Sequence, residues 1–122
     1  DQTFTRQARL SCRQVAADFA GLVIGLTASR LADEMNLKLA EQDYDTGLHY
    51  LKRNLWDSAL LYFEAVWAEY PDTEWAPWAL YQMIEAFGEI GYQREVETTR
   101  DVLLEDYPDS EPAQLLLEDG NR

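Results

Sequence analysis

Cysteine is nearly absent from this chain: Cys12 is the only one in 122 residues, so no internal disulfide can form. Histidine is equally scarce, with His49 alone, and a lone thiol plus a lone imidazole make a poor metal site. Four prolines and six glycines exclude a collagen-like or loop-dominated chain. Bases are outnumbered by acids, 10 to 23, giving a formal charge of −13. So acidic a body is repelled by bare DNA and by an anionic membrane surface, which excludes nucleic acid as a partner. Long apolar runs are also missing. Phe19–Ala28 is about ten residues long, is interrupted by Gly21 and Gly25, and falls short of a membrane span. Arg9 stands three residues before Cys12, where a lipoprotein signal requires Leu, so any membrane association is expected through an anchor absent from this chain. What is present is a core: 47% of residues are apolar and 15 are aromatic, which excludes a disordered acidic tail. The length suits one domain.

The charge is uneven. Residues 1–53 carry seven acids and seven bases, whereas residues 54–122 carry 16 acids against Arg94, Arg100 and Arg122. Such asymmetry fits either a solvated acidic surface, as in a salt-adapted protein, or a face that meets a basic partner.

Apolar residues recur at helical spacing nearly throughout. Leu31, Met35, Leu39, Leu48 and Leu51 form one set, Trp56, Ala59, Leu60, Phe63, Val66 and Trp67 a second, and Trp78, Tyr81, Ile84 and Phe87 a third. A looser fourth set is Val96, Val102, Leu103 and Tyr107. Asn54, Asp72-Thr73, Gly88, Gly91 and Asp109-Ser110 punctuate them with turn and cap residues. No sustained alternation of Val, Ile and Thr points to a strand. The fold class is all-α.

A repeat underlies this pattern. Tyr70-Pro71-Asp72-Thr73 returns 37 residues later as Tyr107-Pro108-Asp109-Ser110, each ending one helix and capping the next. Counting back from Pro71, Phe63, Ala59, Tyr50 and Gly47 stand at −8, −12, −21 and −24. This resembles the tetratricopeptide (TPR) unit of small residue, aromatic, Ala, aromatic and Pro. Gly47 and Ala59 permit close helix approach, Tyr50 and Phe63 fill grooves, and Pro71 stops the second helix. The next unit is degenerate, with Val96 and Arg100 at the Ala and aromatic positions. Asp18-Phe19-Ala20 is a faint third copy without proline, and Ala8, Cys12 and Val15 keep the spacing of Ala59, Phe63 and Val66. The expected architecture is antiparallel TPR-type hairpins stacked in a short right-handed solenoid, treated as a single domain fragment opening inside a repeat. Its parts are a second helix over 1–20, a hairpin with a long first helix over 28–73, a degenerate hairpin over 74–110, a capping helix over 111–118 and a tail over 119–122.

The run Arg30-Leu31-Ala32, Tyr44, His49-Tyr50-Leu51-Lys52-Arg53, Ala59, Tyr70-Pro71-Asp72-Thr73, Ala79-Leu80, Ala86-Phe87 and Gly91 resembles the C-terminal half of the BamD family. These are TPR lipoproteins of the machine that folds and inserts outer-membrane β-barrels. The resemblance implies a non-enzymatic scaffold at the periplasmic face of the outer membrane. The implied partners are the POTRA domains of the barrel assembly subunit and accessory lipoproteins. It also places Tyr62 where the family tends to carry a basic residue contacting the membrane-proximal POTRA domain, and Ala20 near a usual proline. The long first helix, entering a Tyr-Leu-Lys-Arg turn, favours this family over another periplasmic TPR adaptor, of cell division or the cell envelope. A helical domain cut from an enzyme is the more distant alternative.

Solenoids bind partners along a concave groove lined by the first helix of each hairpin. Repeat geometry assigns Glu41, Tyr44, Leu48, Leu51, Lys52, Trp78, Tyr81, Glu85 and Glu89 to it. Trp78 and Tyr81 beside Glu85 either anchor a partner or pack the hairpin, as paired aromatics at helical spacing commonly do. Trp56 is expected to pack where the hairpin turns. Cys12 is expected to be a buried, inert thiol. His49 has no sequence-level triad partner, and Glu85 with Glu89 reads as solvated acid rather than paired acid chemistry. No phosphate loop or calcium loop is present. The reading is no enzyme, no cofactor and no metal.

Overall fold

The 37-residue period is written most plainly in the helix ends. Asn54 takes φ 60° at the end of the first helix, with Asn54 N–H donating to Leu51 O at 3.1 Å and Leu55 N–H to Tyr50 O at 3.0 Å. That is a Schellman stop, in which a left-handed residue turns the chain back so that two orphan carbonyls are satisfied. Thirty-seven residues on, Gly91 at φ 94° does the same: Gly91 N–H donates to Gly88 O at 3.2 Å and Tyr92 N–H to Phe87 O at 2.9 Å. The residues that follow match closely, Leu55 at φ −94°, ψ 74° and Tyr92 at φ −88°, ψ 76°. Tyr70 and Tyr107, at the other ends of those hairpins, lie at φ −129°, ψ 51° and φ −131°, ψ 53°.

The computed structural model describes residues 2–120, which form five helices and, among the described residues, no strand: α1 Gln2–Lys52, α2 Trp56–Glu69, α3 Trp75–Ile90, α4 Gln93–Asp106 and α5 Glu111–Gly120. The fold is all-α and TPR-like. The chain divides into two units, residues 1–35 and 36–122.

Unit 1 is one stretch of α1. The connection expected between residues 20 and 28 is helical instead. Phe19-Ala20-Gly21 has neither a proline nor a capping side chain to stop a helix. The two glycines cost only about 1 kcal/mol each relative to Ala. Local pairs one turn apart follow the helix: Gln14 to Asp18 at 2.9 Å, Thr27 Oγ1 to Val23 O at 2.9 Å, and Arg30 to Glu34 at 3.8 Å. Every side chain from Arg6 to Met35 is exposed, Cys12 included, so the expectation of a buried thiol is corrected. Its register matches Phe63, but no helix of this unit opposes that face. By length and composition α1 is long and apolar enough to cross a membrane, which the ten-residue count missed because it stopped at isolated polar residues. A helix that other helices cover has the same composition.

Unit 2 holds the core. The end of α1 and α2 form one hairpin, Gly47 facing Phe63 and Tyr50 stacking on Tyr62, α3 and α4 form the next, and α5 packs on α3. Ala40, Ala59, Phe63, Val66, Ala79, Leu80, Ala86 and Leu103 are fully buried. Phe63 lies against Gly47 so tightly that a Cβ there would fall 2.6 Å from its ring. The missing side chain of Gly47 is thus the space the Phe63 ring fills, and burying such a ring contributes about 1.5–3 kcal/mol. Trp56 is half-buried against the core where the hairpin turns. Pro71 is exposed just past α2, and its carbonyl accepts the Tyr107 hydroxyl at 2.7 Å, tying one repeat end to the next. Ser110 caps α5, its Oγ accepting Ala113 N–H at 3.3 Å, while the Thr73 hydroxyl turns back to Tyr70 O at 2.8 Å. The helix α5 runs to Gly120, two residues beyond the expected cap; residues 121 and 122 of the expected tail lie outside the described residues.

Candidate partner-binding face

The first helices of the two hairpins lie side by side. The Tyr44 ring is 5.6 Å from Phe63 and 5.1 Å from Trp75 of α3, and Gln82 Nε2 donates to the Tyr44 hydroxyl oxygen at 3.1 Å. This corrects the placement of Tyr44 as a groove-lining residue. At 6% exposure it is a floor joining two repeats. Burial, opposed by the Gln82 hydrogen bond and aided by Asp45, pushes its phenol above the usual range.

Above that floor lie the side chains that reach solvent. Trp78 and Tyr81 stand edge to face at 5.7 Å and 74°, both half-buried with one side on the core. Packing and exposure are therefore combined in this pair. Glu85 and Glu89 follow on the same helix, exposed, as are Glu41 and Lys52, while Leu48 and Leu51 are half-buried. The result is an aromatic and aliphatic strip with carboxylates along it, carried by helices whose other sides are fixed in the core. Such a strip suits a protein surface or peptide, since anchors already held in place lose little freedom on binding.

Tyr62 is placed differently. It sits on α2 with its ring stacked on Tyr50 at 5.6 Å and 22°, both half-buried, so its shown partner is Tyr50 rather than Trp78, Tyr81 and Glu85. His49 is exposed, edge-on to Tyr50 at 5.9 Å. Trp75, like Trp67, reads from the sequence as a packing aromatic, but two contacts escaped that reading. Trp75 is the ring that closes over Tyr44, a contact 31 positions apart that no local period reveals. Asp43 is partly buried beside the end of α2, and burial, then the Glu69 carboxylate, raise its carboxyl above the ordinary value.

A family model described as "YfiO: Outer membrane lipoprotein" matches residues 1–103. This chain belongs to that family. The YfiO-family chain is also 30% identical over 108 residues to the outer membrane protein assembly factor BamD of Caulobacter vibrioides, covering 88% of this chain and 35% of that protein. Against the outer membrane protein assembly factor BamD of Vibrio cholerae it is 32% identical over 76 residues, or 62% of this chain and 32% of that protein. It therefore spans about a third of the length of the curated relatives it matches. The family match runs through both hairpins almost to the end of α4, so it includes the whole of the Trp78–Tyr81–Glu85 strip.

Proposed function

We propose that this chain is a non-enzymatic scaffold of outer-membrane β-barrel assembly. It acts at the periplasmic face of the outer membrane and holds protein partners on the strip of Trp78, Tyr81 and Glu85. The observation that carries this reading is the half-exposed Trp78–Tyr81 pair on stacked hairpins, in a chain whose family is named for outer membrane lipoproteins. The partners we assign are the POTRA domains of the barrel assembly subunit and accessory lipoproteins, with Tyr62 as a further contact on α2. Mechanistically, the core-facing sides of Tyr44, Trp75 and Phe63 hold the strip rigid. The free energy of desolvating Trp78 and Tyr81 then goes into partner capture rather than ordering.

The test is capture of purified POTRA domains on immobilised protein. Trp78→Ala with Tyr81→Ala should weaken capture by at least about tenfold, a loss of roughly 1.4 kcal/mol, whereas Tyr62→Ala should have a smaller effect. Equal affinity of the double variant, with its helical content intact, removes the strip from the binding face.

A further inference from the structure

A cavity of about 380 Å³ opens between α2, α3 and α4, away from the strip just described, with Trp67, Met83, Phe87 and Thr99 in its walls. The repeat explains why it is there. Advancing 37 residues turns Tyr50 into Phe87 and Tyr62 into Thr99. In the first hairpin the two rings stack at 5.6 Å and 22°. In the second, the ring on α4 has been replaced by a small side chain that is 7% exposed, while Phe87 stays half-buried. Among the described residues, Phe87 pairs its ring with Tyr92 alone, at the helix end, tilted and 6.5 Å away. The space a tyrosine fills in one repeat is thus lined but unfilled in the next.

We propose that this cavity takes an aromatic side chain from a partner polypeptide, stacked on Phe87 in the place that Tyr62 occupies on Tyr50, with a basic residue beside it. The ring is argued from the internal comparison, in which the same backbone site holds a stacked aromatic one repeat earlier. Its size is suitable, since about 380 Å³ holds one aromatic ring together with part of the chain that carries it. The basic neighbour is argued from charge. Glu64 and Glu95 stand on the rim with Arg94 as the single base, in a half of the chain with 16 acids and three bases. Trp67 and Met83 supply the polarizable walls that recur at such anchor sites.

The chain's two methionines make a clean readout, because Met83 lines the cavity and Met35 lies in unit 1. The protein, labelled with ¹³C at the methionine methyls, is titrated with acetyl-Lys-Ser-Phe-Ser-Lys-amide. The Met83 resonance should move saturably while Met35 stays. The same peptide with Ala for Phe should bind at least about tenfold more weakly, and so should the one with Glu for both Lys. Thr99→Tyr rebuilds the stacked pair of the first hairpin and should abolish the shift, whereas Thr99→Ser should leave it. If Thr99→Tyr does not fold, Phe87→Leu keeps an apolar side chain of most of the volume, removes the stacking face and should abolish the shift in its place. A Met83 signal unmoved by millimolar peptide overturns the proposal, as does equal response to the Ala peptide or a shift surviving both variants. A Met83 shift driven by protein concentration alone assigns the cleft to a second copy of this chain and also overturns it.

Discussion

At the scale of single residues, the hairpin is set by where side chains are missing. Glycine inside a helix is ordinarily about 1 kcal/mol worse than Ala, so Gly47→Ala would stabilise a free helix. Here the added Cβ would lie 2.6 Å from the Phe63 ring, and Phe63 is fully buried with nowhere to retreat. Gly47→Ala should therefore destabilise by on the order of 1–3 kcal/mol in urea unfolding. Gly47→Ala with Phe63→Leu should be less destabilised than the two single losses added together, because the contact between the sites is the cause. Asp43 offers a test of sign. Burial and Glu69 raise its folded pKa, so the folded chain binds more protons than the unfolded one between the two values. Stability must then fall as pH rises through that window and remain reduced above it. Asp43→Asn should raise Tm at pH 7, and its advantage should vanish below the ordinary aspartate range. An advantage that persists in acid would mean that packing, not ionisation, is responsible.

At the scale of elements, the contrast between α1 and the later helices is between local and tertiary support. From Arg6 to Met35 the helix has only its own hydrogen bonds and one-turn pairs, whereas α2, α3 and α4 share a buried core. A helix without tertiary cover opens far more readily than one inside a core. Amide exchange should therefore be fast across residues 6–35 of the 122-residue chain and slowest around Phe63, Leu80 and Leu103. Protection in 6–35 equal to that of α3 would show that this segment has found cover. Much of this architecture was legible in the sequence. The repeated Tyr-Pro-Asp-Thr/Ser marked both helix ends, and Asn54 and Gly91 marked both reversals, because proline, asparagine and glycine act on their own backbone. The uninterrupted course through residues 19–28 was not legible, since a repeat register says where a turn falls in a relative but a turn also needs a residue that stops the helix. The shared face of Trp78, Tyr81 and Glu85 on α3 was legible from helical spacing, and all three side chains reach solvent. Tyr44 was misread because its burial comes from Trp75, which belongs to the next repeat.

At the scale of the whole molecule, what stands out is a net charge of −13 whose excess lies in residues 54–122. Those residues make up most of unit 2, where the core is, so acids crowd the surface of the part that must stay folded. Two readings of that charge make opposite forecasts. If the acids repel one another, screening should relieve them, because the Debye length falls from about 30 Å at 0.01 M salt to about 3 Å at 1 M. If they are spaced widely enough to sit in water without strain, salt should do little to folding. Asp43, raised by burial and then by Glu69, and Tyr107, raised by burial and then by Asp106 and Asp72, are places where neighbouring acids add to the cost of ionisation. The few bases of this half cannot offset them. The first reading therefore predicts that Tm rises with NaCl. A relief of about 1 kcal/mol would appear as a gain of roughly 4–8 °C in a domain of this size. The same salt should weaken capture of any basic partner at the Glu64–Glu95 rim, since screening acts on the attraction as it acts on the repulsion. Stability rising with salt while peptide affinity falls is thus the joint signature of an acidic surface that is costly when empty and attractive when met. A Tm indifferent to NaCl would detach the two and leave the charge without a folding cost.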